Sequence, residues 1–179
     1  MKIFKLVPLL LLFLVSSCVS VRVTTDYDTG PDFKKYKSFA FYKPGIDKAD
    51  ISDLDKRRIL RAIESELIAK GLQKSDDPDL LVSIFTKEKE RIDIYQGGFG
   101  YGYHHYGYYG AYGYGGNYAR STTEGTLFID FIDAENKRLV WQGKGTASLR
   151  NSSVEAKEAR TKEFVYEILQ RYPPGAIQK

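Results

Sequence analysis

Cysteine is nearly absent from this chain: there is one in 179 residues, at Cys18. A lone thiol closes no disulfide and builds no thiolate metal site. Histidine is almost as scarce, and its two copies, His104 and His105, are adjacent. A Ser-His-Asp arrangement needs a histidine held rigidly by a third group, and no other imidazole is present. No surplus of one charge stands out either, since 27 basic residues face 23 acidic ones. Without a basic run or patch, a nucleic-acid partner is not expected. No apolar run approaches the roughly 20 residues that a membrane-spanning helix needs. No glycine-rich loop is followed by the Lys-Ser or Lys-Thr that opens a phosphate-binding helix. No internal repeat suggests a solenoid. No cofactor is expected, and no catalytic residue is nominated.

What is present begins with a basic start at Lys2 and Lys5, an apolar run over 6–15, and small residues leading to Cys18. A basic n-region, a short h-region and a small-residue cleavage site make a secretory signal peptide. The stretch Leu14-Val15-Ser16-Ser17-Cys18 resembles the lipobox of bacterial lipoproteins. That resemblance implies a signal peptide over 1–17, a Cys18 thiol carrying diacylglycerol, and an acylated new amine. The alternative is an ordinary signal peptide with an incidental cysteine, or a free buried thiol. Each buried acyl methylene contributes about 0.8 kcal/mol, so two or more chains hold a protein on a membrane nearly permanently. Val19 follows Cys18 without an acidic residue. The expected location is the cell envelope, anchored by lipid to the outer membrane on its periplasmic face. The mature chain, 18–179, is long enough for one domain with a core of its own. It loses Lys2 and Lys5 and so carries 25 basic against 23 acidic residues.

Period-two alternation predicts a strand over 19–27 and a second over 38–42, ended by Pro44-Gly45. Ser52 with Asp53 and Asp55 marks a helix start. Ile59, Leu60, Ile63, Leu67 and Ile68 follow at helical spacing, and Gly71 is the stop. A third strand runs over 80–86. It is expected to continue through the charged 87–91 to Tyr95, as an arm leaving the core. A fourth strand over 124–133 and a fifth over 138–149 are joined by a turn beginning at Asp133. Gly143 and Gly145 permit twist or close approach. A capping box at Ser152 to Glu155 opens a second helix, with Val165, Ile168, Leu169 and Tyr172 on its buried side. Pro173-Pro174 stops it.

Residues 97–118 stand apart. Of these 22, nine are glycine and eight are tyrosine. That glycine density carries too much backbone entropy for a packed structure. The segment is expected to be a mobile excursion between two strands. Tyrosine offers a flat apolar face and one polar handle with little rotamer entropy to lose. Tyr101, Tyr103, Tyr106, Tyr108, Tyr109, Tyr112 and Tyr114 are therefore the candidate partner-binding residues, for an envelope protein or a glycan. His104 and His105 are weak candidates for zinc or copper, with no carboxylate or thiolate beside them. Asp130 and Asp133 could be read as paired carboxylates, but the pattern puts Asp130 on a sheet face and Asp133 in a turn.

Together these elements predict an α+β domain. Its antiparallel sheet has about five strands, with two amphipathic helices packed on one face. The mature chain also resembles the bacterial lipoproteins that carry domain of unknown function 4136. The matching pieces include Asp26-Tyr27-Asp28, the run from Asp32 to Phe41, Asp79-Leu80-Leu81-Val82, Gly125 to Asp130 and Leu139 to Gly143. The last is Ile168 to Pro174. This resemblance implies a single envelope domain behind a lipobox and supplies no activity. The expected function is a membrane-anchored binding or structural module contacting an envelope partner, not an enzyme. Alternatives are a small envelope hydrolase with unidentified acidic residues, or a weak metal binder through the two histidines. Oligomeric state is left open.

Overall fold

The computed structural model describes residues 21–95, 118–149 and 153–173. The strands are β1 (Arg22–Tyr27), β2 (Ser38–Phe41), β3 (Gln73–Lys74), β4 (Leu80–Tyr95), β5 (Tyr118–Asp133) and β6 (Leu139–Ser148). They form one sheet in the order β1-β6-β5-β4-β2-β3. Among the described residues the α-helices are α1 (Lys43–Ile46), α2 (Asp53–Ala69) and α3 (Val154–Leu169), with a 3-10 turn at Phe33–Lys35.

The expected five-stranded antiparallel sheet with two helices is corrected to a mixed, six-stranded sheet with three. β1, β6, β5 and β4 pair antiparallel, but β2 runs parallel to β4 and β3 parallel to β2. Parallel neighbours need a crossover, usually a helix, and α2 carries the chain from β2 to β3. The two residues of β3 are too few to display a period of two. Pro44-Gly45, expected to end a strand, lies inside α1. Proline is tolerated in a helix's first turn because its missing N–H had no partner there. Asp79 clamps the parallel pair, accepting from the Lys37 and Ser38 amides at 2.8 and 2.9 Å.

Alternation sorts the sheet's two faces. Val82, Phe131 and Trp141 lie side by side across β4, β5 and β6, as do Ile84, Ile129 and Gly143. This face meets α2 and α3. Phe39, Val82, Ile84, Ile129, Phe131 and Trp141 pack against Ile63, Leu67, Val165, Ile168 and Leu169, each at most 1% exposed. Side chains of this size contribute about 1.5–3 kcal/mol each on full burial. All four apolar residues expected on α3's buried side are buried. On α2, Ile63 and Leu67 are buried while Ile68 is 54% exposed, just off the stripe. Ser52 caps α2, accepting from the Asp55 amide, and Gly71 follows the helix at φ +88°. Ser153 caps α3, one residue later than the expected box.

The helices run side by side from the end of the sheet where β6 finishes. Arg58 and Arg61 of α2 both reach Glu158 of α3, at 3.7 and 3.5 Å. α3 comes very close to β6, as the glycines there allow. A Cβ on Gly143 would collide with both the Ile168 Cγ2 and the Trp141 indole.

β4 and β5 pair over sixteen residues each. Only the part up to Glu124 has β6 beside it. The last six pairs, from Glu90↔Thr123 to Tyr95↔Tyr118, form a two-stranded ribbon beyond the sheet, about 20 Å long at the usual rise. This is the expected arm. The run Lys87-Glu88-Lys89-Glu90-Arg91 has no apolar face to bury, so the strands separate from the helix layer here.

Gly143→Ala is expected to lower stability by about 1–3 kcal/mol, because the added methyl overpacks a rigid contact. An unchanged denaturation midpoint in urea would show that α3 stands further from β6 than this.

Candidate functional site

Cys18, the seven candidate tyrosines, His104 and His105 lie outside the described residues. Their flanks are placed. β1 begins at Arg22, opposite Thr146, which lies opposite Thr126, which faces Lys87. From this level the ribbon continues toward Tyr95 and Tyr118. The start of β1, the end of β6 and the ribbon therefore share one end of the sheet. At the ribbon's root Glu124 accepts from Arg22 at 2.8 Å and from Arg91 at 3.2 Å. Both arginines are more than half exposed, so these pairs contribute little stability, but they join β1 to the ribbon.

The same end carries a groove of about 550 Å³ between the sheet and the first turns of α2 and α3. Its apolar lining includes Ile59, Leu127, Leu149 and Phe164, and Lys157, Arg160 and Asp55 stand among its polar residues. Asp55 is already engaged by Ser52 at 2.7 Å and Arg58 at 2.6 Å. These hydrogen bonds hold its carboxyl below the ordinary range against the opposing effect of burial. Gly125 lies beneath Leu149, whose Cδ2 would be 2.7 Å from a Cβ there. Thr86 also lines the groove, and its Oγ1 is buried without a partner among the described residues. Sequence reasoning passed over this site, since on this helix it named only the apolar positions Val165, Ile168, Leu169 and Tyr172. The available signal was spacing: Lys157, Arg160 and Phe164 recur at i, i+3 and i+7, on one stripe.

The sheet's other face is partly open. Phe85 and Phe128 pack there with centroids 5.8 Å apart, and Lys87 lies over both rings. Lys144 covers Phe128 from the neighbouring strand. Asp130 sits on this face and accepts from Gln142 Nε2 at 2.7 Å. Burial pushes its carboxyl upward, and the Gln142 hydrogen bond opposes that only in part.

Asp133 is three residues along the strand, hence on the opposite face, so the two carboxylates do not converge. It is 4% exposed. It accepts from the amides of Glu135 and Asn136 at 3.0 Å, from Tyr36 Oη at 2.8 Å and from Lys35 Nζ at 3.0 Å. These donors hold its carboxyl far below the usual range, the Asn136 amide first among them. An acid held ionised and surrounded by donors is a structural knot. It ties the β5–β6 turn to the 3-10 segment. Among the described residues no group of three His, Cys, Asp or Glu is arranged to hold a metal.

A family model described as domain of unknown function DUF4136 matches residues 23–174. The chain belongs to the DUF4136 family. The knot at Asp133, the clamp at Asp79 and the glycines under α3 all fall within the DUF4136 match. No curated protein matches the chain. Among solved structures it is similar to a PDZ domain protein from Parabacteroides distasonis, at TM-score 0.53 and 18% identity. The likeness covers 87% of this chain and 36% of that one, so the chain spans about a third of that protein's length. It speaks to fold alone. Two PelC dodecamer structures from Paraburkholderia phytofirmans match at TM-score 0.42, with 11% and 12% identity, over 84% of this chain and 95% of theirs.

Asp133→Asn is expected to cost about 1.5–3 kcal/mol, the range for a hydrogen bond to a charged group. Because the folded-state pKa is depressed, this contribution is fully present above about pH 5. It fades as pH falls below about 4, where the unfolded aspartate takes its proton. Urea melts of both proteins should therefore converge toward acid pH, and a constant gap down to the lowest accessible pH would contradict the assignment.

Proposed function

We propose that this DUF4136 protein is a lipid-anchored envelope lipoprotein, acylated at Cys18. Its domain acts as a binding and structural module, not an enzyme. The single observation that supports the reading is directional. Cys18 precedes Arg22 by four residues, a span of at most about 14 Å. Arg22 opens β1 at the end of the sheet from which the ribbon projects. A membrane holding Cys18 would thus face the ribbon's end, and residues 97–118 would be presented close to that membrane. Tyrosine suits such a zone, since its ring is apolar and its hydroxyl stays hydrated. The ribbon itself carries Glu90, Arg91, Asp93 and Arg120, too much charge to enter hydrocarbon. It would lie along the headgroups or reach a partner beside them. The outer membrane's periplasmic face is the proposed location, from the lipobox and the absence of an acidic residue after Cys18. Among the described residues no helix is long and apolar enough to cross a membrane, so lipid would be what holds the domain in place.

Cys18→Ala is expected to move the protein from the membrane pellet to the soluble fraction on cell fractionation. Continued sedimentation like wild type would end the anchoring reading. Deleting residues 97–118 is expected to leave the melting temperature nearly unchanged while removing the crosslinks wild type forms in intact cells. Crosslinks that survive the deletion would place the partner surface on the folded body instead.

A further inference from the structure

We propose that the sheet's open face, from Phe85 outward to the root of the ribbon, docks on an anionic lipid bilayer. The run Lys87-Glu88-Lys89-Glu90-Arg91 is nearly balanced in charge as a sequence. Strand alternation sorts it. Lys87, Lys89 and Arg91 go with Phe85 to the face away from the helices. Glu88 and Glu90 go with Val82 and Ile84 to the helix side.

The register gathers further cations on the open face. Phe85, Phe128, Lys144 and Thr24 form one rung across β4, β5, β6 and β1. Lys87, Thr126, Thr146 and Arg22 form the next, followed by Lys89, Glu124 and Ser148, then Arg91 and Thr122. Over these four rungs five cations stand against one carboxylate, Glu124. Arg22 and Arg91 share that carboxylate, which cancels one charge. Lys87 and Lys144 lie over the Phe85 and Phe128 rings, and a cation–π contact holds an ammonium without cancelling its charge. Lys89 is exposed. The next acids on this face, Asp130 and Asp26, lie one rung further in and are engaged by Gln142 and by the Tyr27 amide.

Shape and position choose a bilayer over other anions. The patch is broad and shallow, about 20 Å along the strands and about 14 Å across them, with Phe85 41% exposed within it. That suits an array of head groups and not one small ligand. Arg22 stands in the Lys87 rung, and Cys18 is four residues upstream, at most about 14 Å away. Acyl chains there would deliver this face to lipid, so the proposal rests on the anchoring reading for delivery but not for affinity. The ribbon continues the same sheet, and laying it along head groups brings the patch onto them. A lipid anchor and a basic patch reinforce each other on an anionic surface.

The test uses residues 18–179 with Cys18→Ala, which contain every described residue and carry no acyl group. They should cosediment with vesicles of equal parts phosphatidylglycerol and phosphatidylcholine. Binding should be at least about tenfold weaker on phosphatidylcholine alone, and lost near 1 M salt, where the screening length is about 3 Å. Lys87→Gln with Lys89→Gln and Lys144→Gln should weaken it by about a hundredfold, since each cation near an anionic surface contributes roughly a factor of five. Lys56→Gln with Arg57→Gln and Lys162→Gln removes the same charge from the helix layer and should leave binding nearly unchanged. If the first triple variant loses its fold, Lys89→Gln decides alone, with an expected loss of about fivefold. Absence of binding to the anionic vesicles, equal binding to both vesicle types, equal losses from the two triple variants, or tighter binding to soluble polyglutamate than to vesicles would overturn the proposal. None of these outcomes bears on the anchoring reading, which fails separately if wild-type Cys18 carries no lipid mass.

Discussion

The unbroken antiparallel ladder between β4 and β5 is the constraint on which the rest of this structure depends. It runs from Leu80↔Asp133 to Tyr95↔Tyr118 without a slip. Because side chains alternate strictly, its register decides at once which residues face the helices and which face outward. Val82 with Phe131, and Ile84 with Ile129, put the core on one side. Ser83 with Asp130, and Phe85 with Phe128, go to the other. A slip of one residue would expose the first set and bury the second. The same ladder, continued past the helix layer, becomes the ribbon. Core and projection are two halves of one hairpin, so the ribbon's base inherits the rigidity of the sheet.

Everything else is arranged by what the ladder leaves free. β6 adds along β5 and brings Gly143 and Gly145 beneath α3, so the helix lies close on the strand. β2 adds along β4 in parallel and β3 along β2, which obliges α2 to return across the same face. Two helices then lie side by side with the same polarity. Aligned dipoles repel, and Glu158 set between Arg58 and Arg61 offsets part of that repulsion. The consequence for chemistry is positional. Both helix starts, the groove, the beginning of β1 and the ribbon occupy one end. The opposite end carries structural contacts: the Asp133 knot, and Tyr172 packed edge-on against Phe33, Phe131 and Trp141.

Much of this was legible in the chain. The stripe of Val165, Ile168 and Leu169 on α3 with Tyr172 just past its end, the cap at Ser52, the stop at Gly71 and the charged strand leaving the core are all local patterns. Each reports a period or a terminus, and local geometry dictates both. The parallel strands were not legible. β2 is four residues long and β3 two, and no local signal distinguishes a parallel neighbour from an antiparallel one. The Asp133 knot was hidden for another reason. Its donors come from Lys35, Tyr36, Glu135 and Asn136, and the first two lie almost a hundred residues away.

The sequence by itself determined the longer elements, their faces and the charged exit of the β4–β5 hairpin, because these depend on spacing of apolar side chains and on caps within a few residues. The tertiary structure alone decided that β2 joins β4 in parallel, that both helix starts converge, and that Lys157 and Arg160 stand at the edge of a groove with apolar lining. Those outcomes rest on contacts between distant segments, and pairwise packing across a sheet has no signature within any one of them.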